Sequence, residues 1–172
     1  MEVLQLASAQ KLASAAFASP ADVIGNGTLT LSVGGESFDV VIEPGRETLA
    51  DIRSAINAAA GNAGVTATLV NANDGTRLIL TAAASGAAST ISVAGSGGEG
   101  GLAKLTSLTE VQPARDAQLR VDGFTIDSPS NVVADAVSGL TLTLKSAAPG
   151  SPTTVTVGND AAGSRSKVEG VV

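Results

Sequence analysis

Three glycines follow the apolar run of residues 91–94 with the spacing G-x-G-x-x-G: Gly95, Gly97 and Gly100. This spacing is typical of a dinucleotide site, where glycines let the backbone approach a pyrophosphate that a helix N-terminus binds, and Asp122 follows about twenty residues later. Only residues 102–110 could form that helix before Pro113, and the chain does not alternate strands with helices. We therefore interpret the glycine run as a flexible linker and predict no cofactor.

Four aspartates in the last third of the chain could supply the paired carboxylates of a glycoside hydrolase: Asp116, Asp122, Asp127 and Asp135. Such a site also needs an aromatic platform for the sugar, and the chain has no Tyr and no Trp. The four carboxylates are therefore interpreted as solubilising surface charges.

Residues for nucleophilic or metal chemistry are scarce. The absence of Cys and His removes thiol nucleophiles, imidazole bases and the usual zinc ligands. No serine occupies a G-x-S-x-G turn, and nothing places a lysine beside a serine as its base. The lysines are Lys11, Lys104, Lys145 and Lys167. We predict no catalytic, cofactor-binding or metal-binding residue, and no enzyme.

Two short motifs have simpler explanations than a site. Residues 71–75 resemble the start of a calcium loop, but Gly75 takes the third ligand position and no Glu follows at the required spacing. Residues 26–28 match a glycosylation acceptor, Asn-Gly-Thr, yet Asn-Gly also favours a turn before a strand. We interpret both as turns.

Composition limits the fold and the partners. The chain has 172 residues, 44% of them hydrophobic but only 2% aromatic, so the core is built from Val, Leu, Ile and Ala. Phe17, Phe38 and Phe124 are its only large anchors. This length suffices for two small β-rich modules.

Charge and hydropathy exclude several partners. The net charge of −6 disfavours nucleic acid and anionic membranes, which both attract clustered Lys and Arg. No apolar run of about 18 residues occurs, and the start lacks the basic-then-apolar layout of a secretory signal. We predict neither a membrane segment nor a cleaved signal peptide.

Local patterns predict one helix among hairpins. Residues 28–33 and 37–43 alternate apolar and polar side chains around Gly34-Gly35, which predicts a tight hairpin. Apolar residues at helical spacing, preceded by a capping box at Thr48 and Asp51, predict a helix over residues 49–60. A second hairpin follows at residues 65–81, and residues 91–94 could add a strand.

The remaining segments are predicted mainly as strands. Strands are expected at residues 117–121, 124–126, 140–145 and 153–157. Ser130 and Asn131 could cap one helical turn reaching Val137, and residues 3–19 could be the tail of a helix that runs into a strand. The predicted class is α+β, mainly β: two small antiparallel β-rich modules with one short amphipathic helix at about 49–60.

Several segments resemble flagellar axial proteins. Residues 5–14, QLASAQKLAS, are similar to the stretch that leads out of the coiled-coil stem of flagellar hook-associated protein 2, the filament cap family. The flagellin IN motif is resembled by GTLTL, TLADIRSAIN, GVTA and GTRLILT, at residues 27–31, 48–57, 64–67 and 75–81. The start of the cap family's C-terminal region is resembled by DAQLRVDG, SN and SGLTLTL, at residues 116–123, 130–131 and 138–144.

The resemblance implies a discontinuous outer β domain, with residues before about Pro20 pairing with those after Pro113. Its expected parts are residues 1–20 plus 113–160 as the outer domain, 22–112 as an inserted α+β domain with the IN motif, and 161–172 as the truncated start of a stem helix. Both long terminal helices of the family are absent from this sequence.

The implied function is that of a structural cap subunit that closes the filament tip and promotes flagellin polymerisation. Its partners would be further copies of itself in a ring and flagellin, and its location would be the extracellular tip of the flagellum, reached without a cleaved signal peptide. Two alternatives stay open. One is an adhesive module that binds host mucin or glycans, and the other is flagellin or a different hook-associated axial protein.

Overall fold

A computed structural model describes residues 1–98 and 101–156, apart from the side chain of Asp135. Strands dominate this part of the chain. In chain order the elements are β1 (Glu2–Gln5), β2 (Lys11–Ala13), β3 (Gly27–Val33), β4 (Glu36–Ile42), α1 (Leu49–Ala58), β5 (Val65–Ala72), β6 (Gly75–Ala82), β7 (Ile91–Ser96), a 3-10 helix (Leu102–Leu105), β8 (Thr109–Gln112), β9 (Ala117–Val121), β10 (Phe124–Ser128), β11 (Val132–Val137) and β12 (Leu140–Thr143). All strand pairs are antiparallel, so the predicted class, α+β and mainly β, is confirmed.

Two groups of sheets can be distinguished. The large module, residues 10–112, contains a four-stranded sheet of order β5-β6-β2-β8, a three-stranded sheet of order β4-β3-β7, and α1. The small module, residues 1–9 and 113–156, contains the sheet β1-β9-β10 and the hairpin β11-β12. Each module has its own cluster of buried hydrophobic residues.

The β3–β4 hairpin forms as its sequence predicts. Gly34 and Gly35 make the two-residue turn with φ of +60° and +91°, a conformation that L side chains resist. Alternate residues of both strands are buried, because successive strand side chains point to opposite faces. The apolar half of the alternating pattern therefore forms one wall of the core.

Helix α1 begins at a complete capping box. The Thr48 hydroxyl oxygen accepts from the Asp51 amide at 3.2 Å, and the Asp51 carboxylate accepts from the Thr48 amide at 3.3 Å. These bonds satisfy two amides that the first turn of a helix leaves without partners. Leu49, Ile52 and Ile56 are buried, so the predicted amphipathic face packs against the core.

The predicted pairing of the N-terminal residues is right for β1 and wrong for β2. β1 pairs with β9, but β2 lies between β6 and β8, and Phe17 bridges to Thr76. The chain thus enters the large module near Gln10, well before Pro20. β2 is only three residues long and has little period of its own, so its place depends on distant strands. The division into domains otherwise stays a prediction.

Three local predictions are wrong. Residues 3–19 contain β1 and β2 and no helix. Residues 132–137 form β11 instead of a helical turn, because Asn131 bonds to a distant segment and does not cap a helix. No strand forms at residues 151–156, although Thr153 exchanges two bonds with Met1 across the edge of β1. The predicted stem helix at 161–172 lies outside the described residues.

One of the three phenylalanines differs from expectation. Phe38 is buried and Phe17 is packed against the main core, as anchors should be. Phe124 is 76% exposed, because it directly follows the Asp122-Gly123 turn between β9 and β10. The small module therefore has no aromatic anchor in its core.

Candidate functional site

The carboxylates of the last third of the chain have separate structural roles. Asp116 Oδ1 accepts from the Ala87 amide at 2.7 Å, and Asp127 Oδ1 accepts from Gln118 Nε2 at 3.0 Å. Asp122 occupies a hairpin turn with φ of +50°. Asp135 belongs to β11, and its side chain is outside the description. Within the described residues, no group of three acidic side chains is arranged to hold a metal ion.

The glycine run does not form a dinucleotide site. Gly95 lies inside β7, an antiparallel strand paired with β3, where a dinucleotide fold would have a parallel strand followed by a helix. The helix that follows is a 3-10 helix of four residues, Leu102–Leu105, too short to present an N-terminus to a pyrophosphate. Gly100 lies outside the described residues.

The segment that resembles a calcium loop is a hairpin turn. Asn73 and Asp74 connect β5 to β6, and Arg77 binds both oxygens of Asp74 at 2.7 Å. This hydrogen-bonded ion pair lowers the pKa of the Asp74 carboxyl and raises the pKa of the Arg77 guanidinium. The carboxylate is thus committed to its own hairpin.

Asn26 of the glycosylation-like motif directly precedes β3. The Nδ2 atom of its side-chain amide donates to Glu47 Oε1 at 2.5 Å. Gly27 has φ of +126°, and a Cβ there would lie 2.6 Å from the carbonyl oxygen of Gly97. Close packing between the start of β3 and the end of β7 accounts for the Asn-Gly pair.

The best-defined polar constellation, here called the joint, lies within the small module, where it connects the segment after β1 to residues 115 and 131, and the sequence did not reveal it. The amide of Ala7 donates to Asn131 Oδ1 at 2.8 Å, and Asn131 Nδ2 donates to the Ala7 carbonyl at 2.9 Å. The side chain therefore pairs with the backbone as a neighbouring strand would. Beside it, Ser8 and Arg115 exchange two backbone bonds of 2.9 and 3.1 Å.

The loop after β6 connects the large module to this joint. Ser85 Oγ donates to the Pro129 carbonyl at 2.7 Å, and the adjacent Ala87 amide bonds to Asp116. Gly86 between them has φ of +106°, and a Cβ there would lie 2.9 Å from Pro129 Cβ. The presence of glycine at this close approach was the one available sequence indication, and it has meaning only once the partner segment is known.

Hollows on the described surface are shallow. One of about 330 Å³ lies between β4 and α1, and its lining includes Val41, Ala55 and Ala58. A second, of about 390 Å³, lies at one end of the small module and is lined in part by Val121 and Leu142. No described helix combines the length and apolar character that crossing a bilayer requires.

Two protein-family models match successive parts of this chain. Residues 28–84 match the flagellin hook IN motif, and residues 114–172 match the flagellar hook-associated protein 2 C-terminus. The A-type flagellar hook-associated protein 2 of Pseudomonas aeruginosa is 34% identical over 98% of this chain and 40% of its own length. The B-type protein of that species is 33% identical with the same coverage. The chain thus spans about two fifths of these curated relatives.

Solved structures agree with the sequence relatives. The crystal structure of FliD (HAP2) from Pseudomonas aeruginosa PAO1 has a TM-score of 0.85 and 33% identity, covering 98% of this chain and 82% of that one. The D2-D3 domains of the flagellar cap protein FliD from Escherichia coli have a TM-score of 0.76 and 27% identity, covering 87% and 82%. The fold is shared with both.

Proposed function

The chain belongs to the flagellar hook-associated protein 2 family, and we propose that it forms the outer part of a subunit that caps the tip of the bacterial flagellar filament. The observation that carries this proposal is the match to FliD of Pseudomonas aeruginosa over nearly the whole chain, at 33% identity. The IN motif alone would leave flagellin as a candidate. The match of residues 114–172 favours the cap protein over flagellin.

In this role the chain acts by shape and contact, without catalysis. The full-length protein would assemble with further copies of itself at the distal end of the filament, outside the cell, after export without a cleaved signal peptide. It would promote the addition of flagellin beneath it. Support for a non-catalytic role comes from the separate structural partners of Asp116 and Asp127 and from the names of the relatives.

We also propose that the chain divides where the strand pairing changes. Residues 1–9 and 113–156 would form the outer domain, and residues 10–112 the inserted domain that carries the IN motif. The position of β2 between β6 and β8 favours this boundary over the one near Pro20. An adhesive role has no support among the relatives, whose names describe hook-associated or cap proteins.

A complementation experiment tests the function. A strain that lacks its cap gene is given the full-length gene containing this segment, and filament length and flagellin in the medium are measured. Restored filaments and a fall in free flagellin are expected. An otherwise identical gene without residues 10–112 separates the contribution of the inserted domain. Unchanged secretion of free flagellin by cells that export the full-length protein would contradict the cap role.

A further inference from the structure

The edge strands of the large module differ in how far their unpaired backbone groups are covered. An edge strand presents unpaired N–H and C=O groups, and proteins usually block them. Asn57 Nδ2 donates to the Ala67 carbonyl and Asn57 Oδ1 accepts from the Ala67 amide, both at 2.8 Å. Asn62 bonds to the amide and the carbonyl of Val65 in the same way, at 2.8 Å each. The first half of the β5 edge, at Val65 and Ala67, is therefore closed by side chains from the helix and the loop after it.

Two other edges are each interrupted at one point. The amide of Ile91, at the start of β7, donates to Oε1 of the buried Gln10 at 2.5 Å. The pairing of β8 with β2 contains a register shift opposite Lys11 and Leu12, so this edge is not a regular template. Within the described part of the large module, β4 is the edge with neither device.

The free groups of β4 can be identified from its hairpin. Val33 and Glu36 flank a two-residue turn, so they form a hydrogen-bonded pair, and alternate pairs along the hairpin do the same. The intervening residues of β4 direct their N–H and C=O groups away from β3, and no described strand pairs with that side: Ser37, Asp39 and Val41. All three residues are exposed, Val41 by 65%.

We propose that this edge of β4 binds an extended polypeptide segment of another protein, in which basic and small apolar residues alternate. Residues of an added strand that face Ser37, Asp39 and Val41 share the outer face of the sheet with them. The other residues face α1, where Ala55 and Ala58 line the hollow of about 330 Å³ together with the polar residues Glu43, Arg46, Asp51 and Ser54. This geometry is that of strand addition to a sheet edge beside a helix.

Charge decides which segment fits. Asp39 and Glu43 follow the outer face of this edge, and β4 contains no Lys or Arg. A two-fold pairing with a second copy centred on Asp39 would oppose the two Asp39 carboxylates, and one centred on Val41 would oppose Asp39 to Glu43. A pairing centred on Val40 would place Asp39 opposite Val41 and Ser37 opposite Glu43, so neither carboxylate would gain a cation. Like charges directly opposite each other destabilise a strand pair. A segment with Lys or Arg at these positions instead gains an attraction. The inference does not depend on the cap role.

In the test, the whole chain is titrated with an eight-residue peptide that alternates Lys with Val and is capped at both ends. Binding is monitored through the backbone amide NMR signals of the chain. Shifts confined to β4, α1 and the flanking turns are expected, with weaker binding of a peptide that alternates Glu with Val. Asp39→Lys should weaken binding of the Lys peptide about tenfold, because an attraction becomes a repulsion. Val41→Pro removes an outward N–H that the added strand needs, and it removes no hydrogen bond to β3. This variant should abolish binding of the Lys peptide.

Asp127→Lys is the matched control, since Asp127 also lies on an edge strand, β10. Its carboxylate accepts one side-chain bond, from Gln118, as the carboxylate of Asp39 does from Thr30. This variant should leave the affinity for the Lys peptide unchanged. The proposal is overturned by equal binding of the two peptides, by shifts centred on β10, or by no binding at millimolar peptide. A concentration-dependent dimer that Val41→Pro abolishes would also overturn it, because a second copy would then be the occupant.

Discussion

The two modules reach a folded state by different means. Among the described residues, the core of the large module contains nineteen buried hydrophobic residues, including three from α1. The core of the small module contains five, two of which are alanines. Burying a large aliphatic side chain contributes roughly 1.5–3 kcal/mol, so the large module has far more of this stabilisation. The small module must rely more on its strand pairs and on the joint.

This difference also affects function. A module with a large core can stand alone, whereas a module with a thin core and an exposed Phe124 needs neighbours. In the proposed cap, the large module would act as a rigid inserted domain. The small module would link it to the rest of the subunit.

The largest effect is expected from truncating the main core. Ile52→Ala removes a fully buried side chain of α1 and should lower the free energy of unfolding by about 2–5 kcal/mol. Leu119→Ala makes the matched change in β9, where the residue is equally buried. Hydrogen exchange should show faster exchange in β3 and β6 for the first variant and only in β9 to β11 for the second. A uniform acceleration for both would contradict separate cores.

The joint should give the next largest effect. Asn131→Ala leaves the amide and carbonyl of Ala7 without their partners, at a cost of about 1–3 kcal/mol. Exchange of the Ala7 amide and proteolysis near Pro129 should both accelerate, while β3 stays protected. Asn73→Ala, at an exposed turn, is the comparison variant. Equal behaviour of the two variants would show that the joint does not hold the small module.

Removing the helix cap should have a smaller effect, restricted to the large module. Thr48→Ala deletes the hydroxyl that accepts from the Asp51 amide, and we expect a loss of about 1 kcal/mol in urea unfolding. Thr48→Ser retains an acceptor and should recover most of it. A similar loss for both variants would mean that the methyl group matters and the cap does not.

The smallest effect concerns the exposed pair of Asp74 and Arg77. Because the pKa of Asp74 is lowered in the folded state, its contribution is present above the ordinary value of 3.8 and is lost as the pH falls through the lowered value. Arg77→Gln should therefore lower the urea midpoint of unfolding slightly at neutral pH and leave it unchanged at about pH 2. High salt should reduce the difference at neutral pH. A shift that persists in acid would identify a cause other than this ion pair.

Local features of the fold could be predicted from the sequence. Both hairpins of the large module and α1 depend on turn residues and periods within about fifteen residues, and all three form where expected. The glycines at 34 and 35 and the capping box at Thr48 are sufficient indications because their partners are neighbours in the chain.

Features that depend on distant partners could not be predicted. β2 is three residues long and takes its place from β6 and β8, which follow it by more than sixty residues. Asn131 has the residue type and position of a helix cap, yet its partner is Ala7. The absence of a strand at residues 151–156 has the same origin, because Thr153 pairs with Met1 outside a regular ladder. The bonds by which Asn57 covers the edge of β5 at Ala67 could also be recognised only once the fold was known.

The position of the protein on the flagellum tests the central claim most directly. Antibodies raised against this 172-residue chain can be applied to intact, flagellated cells of the source strain and located with gold by electron microscopy. The proposed role predicts label at the distal end of each filament and none along its length, with no label on cells of a strain that lacks the gene. Label distributed along the filament would contradict the cap role and favour flagellin.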